Sequence, residues 1–145
     1  MIKNLFRKGR EESVESSAPA PGEATGTILV VDDSATEVHV FKKILERQGY
    51  QILAAKDGQE GVETAKRHLP DLILMDVVMP VLNGFQATRQ LKNHEATSKI
   101  PVIMVTTKDQ QTDINWGMRQ GATEYLVKPV APAELLSKIR SLLNA

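Results

Sequence analysis

The sequence predicts an α/β domain: a doubly wound, five-stranded parallel sheet with five helices. Two observations carry this. From Thr27 onward, short runs rich in β-branched residues alternate with longer amphipathic stretches, the pattern of strand-helix units. The short runs are also continuously apolar rather than alternating, as expected of strands covered on both faces.

The first strand is marked by Ile28-Leu29-Val30-Val31. A helix follows, with Val38, Phe41, Ile44 and Leu45 on one face, Ser34 or Ala35 near its start and Gly49 just past its end, where a left-handed residue is wanted. Ile52 to Ala55 forms the second strand and Gly61 to His68 its helix; Leu72 to Met75 forms the third, followed by a helix from Phe85 to Lys92. Val102 to Val105 and Tyr125 to Val127 complete the sheet, with helices over Asp109 to Gln120, ended by Gly121, and over Ala133 to Leu143. In the fourth helix, Ile114 and Met118 lie four residues apart and predict the inward stripe, which leaves Trp116 far around the helix. Right-handed crossovers then put the ligand site at the carboxyl ends of the strands.

Residues 1–26 break this pattern. Lys3, Arg7, Lys8 and Arg10 precede Glu11, Glu12 and Glu15, and a Ser/Ala/Pro stretch follows, so the segment predicts a flexible tail ahead of a domain spanning 27–145. Its Ile2, Leu5 and Phe6 fall at helical spacing, but a helix this short is marginal alone. The 18 basic and 18 acidic residues balance, which argues against electrostatic nucleic-acid binding. With no cysteine, disulfides, thiolate zinc sites and thiol nucleophiles are excluded, and a cytoplasmic protein is expected. Apolar runs fall far below the roughly 20 residues of a membrane span. His39, His68 and His94 show no metal spacing and receive no role.

The rim of the predicted sheet collects chemistry. Asp32 and Asp33 end the first strand, Asp76 the third, Thr106 and Thr107 the fourth, and Lys128 the fifth. Any one of these acids alone reads as a loop residue or helix cap. Three carboxylates together repel unless a cation joins them, and magnesium, with manganese as an alternative, suits one or two carboxylates plus a phosphate oxygen. Lys128 adds an ammonium and Thr106 a hydroxyl. The inventory fits phosphoryl transfer to an aspartate, in which the protein supplies mainly positioning and electrostatics.

The strings Ile28-Leu29-Val30-Val31-Asp32-Asp33-Ser34, Asp71 to Gly84, Pro101 to Thr106 and Gly121 to Pro129, in this order and spacing, closely resemble response-regulator receiver domains. The resemblance covers residues 27–145. It implies a flavodoxin-like sheet of order 2-1-3-4-5 and Asp76 as phosphoacceptor. It further implies magnesium held by Asp32, Asp33, Asp76 and the Val78 carbonyl, Thr106 as switch hydroxyl, Lys128 on the phosphoryl group, a cis Lys128-Pro129 bond, and Tyr125 as the switch aromatic. The run Trp116 to Ala122 looks more like the twitching-motility type, which implies chemotaxis-like control of motility.

By the same resemblance, a histidine kinase or phosphotransfer domain donates the phosphoryl group, and the fourth-helix surface, which includes Trp116, meets an unidentified output protein. A monomer is expected, with weak pairing when phosphorylated. Because the sequence stops after the fifth helix, output through protein contact is expected; a phosphate sink draining a shared kinase is the alternative. An aspartyl-phosphate hydrolase is disfavoured, since those enzymes usually carry a second aspartate where this chain has Val78. Thr107 is bulkier than the alanine or glycine often found there, and either crowds Tyr125 or points elsewhere. Val78 and Lys108 flank the site, and an apolar Val78 cannot orient an attacking water, so a long-lived phosphoaspartate is expected.

Overall fold

The computed structural model describes residues 24–143. Residues 1–23, with the basic and apolar positions of the expected tail, lie outside the described residues. Strands β1 (Thr27–Val31), β2 (Gln51–Ala55), β3 (Leu72–Met75), β4 (Val102–Thr106) and β5 (Glu124–Val127) alternate with helices α1 (Ala35–Arg47), α2 (Gly58–His68), α3 (Gly84–Asn93), α4 (Gln111–Gln120) and α5 (Pro132–Leu143). All four strand pairings are parallel, in the order β2-β1-β3-β4-β5. Packing reaches upstream of Thr27: Ala24 is buried and its N–H donates to the Gln48 carbonyl at 2.8 Å.

Alternate residues of each strand face opposite layers. Ile28, Val30, Leu72, Leu74, Ile103 and Val105 meet Phe41 and Leu45 of α1 and Leu135 and Ile139 of α5. Leu29, Val31, Ile73, Met75 and Val102 meet Val62 and Ala65 of α2 and Ala87 and Leu91 of α3. This two-sided cover explains the unbroken apolar runs of β1, β3 and β4. The expectation fails for the two edge strands: in β2 Gln51 and Ala54 are exposed, and in β5 Val127 is exposed and Tyr125 only half-buried.

Side-chain caps set where the helices begin. Ser34 Oγ accepts the Glu37 N–H, so α1 starts just after the first strand's acidic pair. At α2, Asp57 caps Glu60, while the Glu60 carboxylate accepts the Lys56 N–H at 2.7 Å. That reciprocal arrangement starts the helix at Gly58, three residues earlier than its apolar periodicity indicates. Gly49, past the end of α1, takes φ +108°, the left-handed conformation expected of it.

The α4 stripe is a correction. Met118 is exposed and Ile114 only half-buried, while the buried positions are Gly117 and Gln120. The helix is turned so that Gly117 faces the sheet: a Cβ there would lie 2.8 Å from Met104 Sδ and 3.0 Å from Tyr125 Cδ2. The smallest residue, rather than the most apolar one, marks the contact. Trp116 is 46% exposed, although the Ile114 and Met118 stripe that predicts its exposure is not the buried face. No described helix is long and apolar enough to cross a membrane.

Candidate functional site

The parallel sheet delivers its strand ends to one rim. Asp32 and Asp76 directly follow β1 and β3 and are 4% and 8% exposed, Thr106 closes β4 fully buried, and Lys128 directly follows β5. Asp33 joins Asp32 and Asp76 in a cluster in which one carboxylate oxygen from each lies within 4.8 Å of the others. Lys128 Nζ reaches Asp32 Oδ2 at 2.9 Å, Glu37 Oε1 at 3.0 Å and Asp76 Oδ2 at 3.6 Å. The Lys128-Pro129 peptide is cis.

Backbone geometry fixes Asp76 further. The Val77 N–H donates to Asp76 Oδ1 at 2.7 Å, which orients the carboxylate. Gly84, the first residue of α3, packs so tightly against this segment that a Cβ would lie 2.0 Å from the Asp76 carbonyl oxygen, and its N–H donates to the Val77 carbonyl. Between them, Val81 sits at φ +70° and the Leu82 N–H donates to the Pro80 carbonyl at 2.8 Å, a γ-turn of the rare positive-φ hand. The β3–α3 loop is thus drawn tightly over the rim.

Burial pushes the Asp76 carboxyl above the ordinary carboxylate range; Lys128 opposes this, Asp32 reinforces it, and the Val77 N–H and Thr106 hydroxyl favour the charged form. For Lys128, burial disfavours the ammonium, but the bonds to Asp32 and Glu37 and the charges of Asp76 and Asp32 prevail and raise its pKa. The donor set fits a hard divalent cation: three carboxylates within ligand reach, two of them nearly buried, share only one close ammonium among the described residues.

Other expected residues fall near the site in different ways. The Tyr125 ring packs with Val77, Met104, Ala122 and Phe85, and its hydroxyl donates to the Lys108 carbonyl at 2.8 Å. Its pKa is pushed up to about 12 by burial, with Asp113, Asp109 and Asp76 adding to the effect. Thr107 is exposed and borders a groove with Glu37, Lys128 and Pro129, so it does not crowd Tyr125. Strand alternation explains this: buried Thr106 and Thr107 point oppositely. The Val78 side chain is exposed at the rim. Glu37 escaped the sequence analysis, although the spacing Ser34-x-x-Glu37 at a helix start signals a first-turn carboxylate directed back toward the rim.

Known proteins resemble this chain in sequence and, where solved, in fold. The chain is 56% identical over 116 residues to protein PilH of Pseudomonas aeruginosa, covering 80% of this chain and 96% of that one. Among solved structures, the chemotaxis protein CheY4 of Vibrio cholerae is 32% identical with a TM-score of 0.77, covering 83% of this chain and all of the other. The receiver domain of the sensor histidine kinase PA1611 of Pseudomonas aeruginosa is 33% identical with a TM-score of 0.78 over 84% of this chain and all of that one; its structure has a magnesium ion coordinated in the active-site cleft. The family model for the response regulator receiver domain matches residues 28–140, and with these relatives it establishes that the chain belongs to the response-regulator receiver family.

Proposed function

We propose that Asp76 is the phosphoacceptor of a signalling switch. The observation that carries this is the convergence on Asp76 of two further carboxylates, from Asp32 and Asp33, and of the Lys128 ammonium at 3.6 Å. One Asp76 oxygen attacks the phosphorus of the donor; the new O–P bond forms as the donor's P–O or P–N bond breaks and the leaving group takes the electron pair. Lys128 offsets charge on the phosphoryl oxygens, and Thr106 offers its hydroxyl to them. Asp32, Asp33, Asp76 and the Val78 carbonyl would hold magnesium or manganese, which supplies charge neutralisation on the phosphoryl oxygens.

The donor is a histidine kinase or phosphotransfer domain, and the protein works in the cytoplasm. Output passes through protein contact at the α4 surface, where Trp116 is the exposed aromatic. The similarity to a chemotaxis protein and the run Trp116 to Ala122 support a place in chemotaxis-like control of motility. Phosphorylation biases an equilibrium between two arrangements of Thr106, Tyr125 and α4. The apolar, exposed Val78 cannot orient an attacking water, which supports a phosphoaspartate half-life above about one second, the timescale of a switch rather than a sink.

Intact-mass spectrometry with acetyl phosphate, with and without magnesium, tests the assignment. A gain of one phosphoryl mass that needs magnesium and is absent from Asp76→Asn is expected. No gain in the wild type, or an undiminished gain in the variant, would overturn it.

A further inference from the structure

Lys128 carries three N–H donors, and each has a carboxylate in reach: Asp32 at 2.9 Å, Glu37 at 3.0 Å and Asp76 at 3.6 Å. These carboxylates are not equivalent. Asp32 and Asp76 are nearly buried and belong to the acidic cluster, whereas Glu37 lies outside that cluster and its side chain is 42% exposed. Glu37 reaches Lys128 from the first turn of α1, where Ser34 caps its N–H and the helix N-terminus favours a negative charge. It also borders the groove formed with Val40, Phe41, Thr107, Pro129 and Val130, open to solvent beside the reacting centre.

A phosphoryl group on Asp76 needs a Lys128 donor, so one of the three contacts has to yield. Asp32 is nearly buried and its other oxygen is fixed by the Ser34 N–H, so it has little freedom to move off Lys128, and Asp76 bears the phosphoryl group itself. Glu37 can swing into water at modest cost, because its own side chain is already 42% exposed while Lys128 keeps its contact with Asp32. We propose that Glu37 is a placeholder for the phosphoryl group: it occupies Lys128 in the resting state and yields when Asp76 is modified. It is a positioning residue that acts through Lys128 and slows phosphorylation by engaging the ammonium and by adding a negative charge near the approach of an anionic donor.

This inference rests on Asp76 being the phosphoacceptor, and its test separates the two. The gain of phosphoryl mass from acetyl phosphate with magnesium is followed in time for the wild type and Glu37→Gln, at low and high salt, with thermal melting as a control for folding. In each reaction Asp76 forms an O–P bond and acetate leaves with the electron pair of the broken P–O bond.

Glu37→Gln is expected to react roughly two- to fivefold faster at low salt, the effect a half-exposed charge pair can exert. The ratio should shrink toward one as the Debye length falls from about 30 Å at 0.01 M to about 3 Å at 1 M. A folded variant that reacts at the wild-type rate or slower, while the wild type gains the mass, overturns the placeholder alone. A faster variant whose advantage ignores salt also overturns it, because a purely structural change would behave that way. If the wild type gains no mass, the phosphoacceptor assignment fails first and the placeholder falls with it.

Discussion

Val81 is a β-branched residue at φ +70° and almost fully exposed, so its backbone is strained while its side chain buries nothing in return. Strain of this kind costs on the order of 1–3 kcal/mol, and glycine removes it while losing roughly 0.5–1 kcal/mol through unfolded-state entropy. Val81→Gly should therefore stabilise the fold by about 1 kcal/mol, read as a higher urea midpoint; a lower midpoint would mean that the turn is not strained. Tyr125 allows a titration at the same scale. Its folded pKa of about 12 lies above the unfolded value of about 10, so its contribution to stability is complete below pH 10 and is lost as pH rises through 12. Tyr50 is also raised by burial, so the ultraviolet titration is read as the difference between wild type and Tyr125→Phe, which should show one tyrosinate forming near pH 12. A Tyr125 difference signal that titrates near pH 10 instead would contradict the packing described for this ring.

At the scale of elements, the strands and the ends of the helices differed in how far they could be anticipated. The runs Leu72–Met75 and Val102–Val105 were plain in the sequence because a strand buried on both faces has to be apolar throughout. The start of α2 was misplaced because apolar periodicity outweighed the caps at Asp57 and Glu60, which hold polar residues in place where no core contact does. In α4 the contact was misread for a different reason: hydropathy cannot see a glycine chosen for closeness. Gly117→Ala tests that contact. Alanine gains about 1 kcal/mol of helix propensity, but its Cβ would lie 2.8 Å from Met104 Sδ and 3.0 Å from the Tyr125 ring. Met104 is fully buried, so the partly exposed ring is the group free to move. The variant should turn Tyr125 outward and bring its ionisation from about 12 back toward 10; an unchanged titration would show that the helix shifts instead.

For the molecule as a whole, the sheet is a device that brings distant residues to one edge, and this is why the site was legible before any coordinates. Asp32, Asp33, Asp76, Thr106 and Lys128 each stand at or just past a strand's carboxyl end, so naming the strands located them. What remained hidden was pairwise: which carboxylates share Lys128, and that Glu37 is one of them, depends on the angle at which α1 leaves β1. A cation held by the cluster, as proposed, would link its binding to global stability. A cation that binds only the folded state raises stability by RT ln(1 + [L]/Kd), about 2.7 kcal/mol at a hundred times Kd. The melting temperature should thus rise steadily with magnesium, and Asp33→Asn should lose most of that rise without lowering the metal-free melting temperature. A magnesium response equal to wild type would remove Asp33 from the ligand set.

Because every strand runs the same way, Ala24 enters at the amino-terminal pole of the sheet, about five residues of β1 from Asp32, or roughly 16 Å at about 3.3 Å per residue. For handling the protein, the chain at Ala24 joins the fold at the end of the sheet remote from the rim that carries Asp76, so a short dye or affinity handle joined there starts away from that rim. Attachment through the β1–α1, β3–α3 or β5–α5 connections would cover that rim.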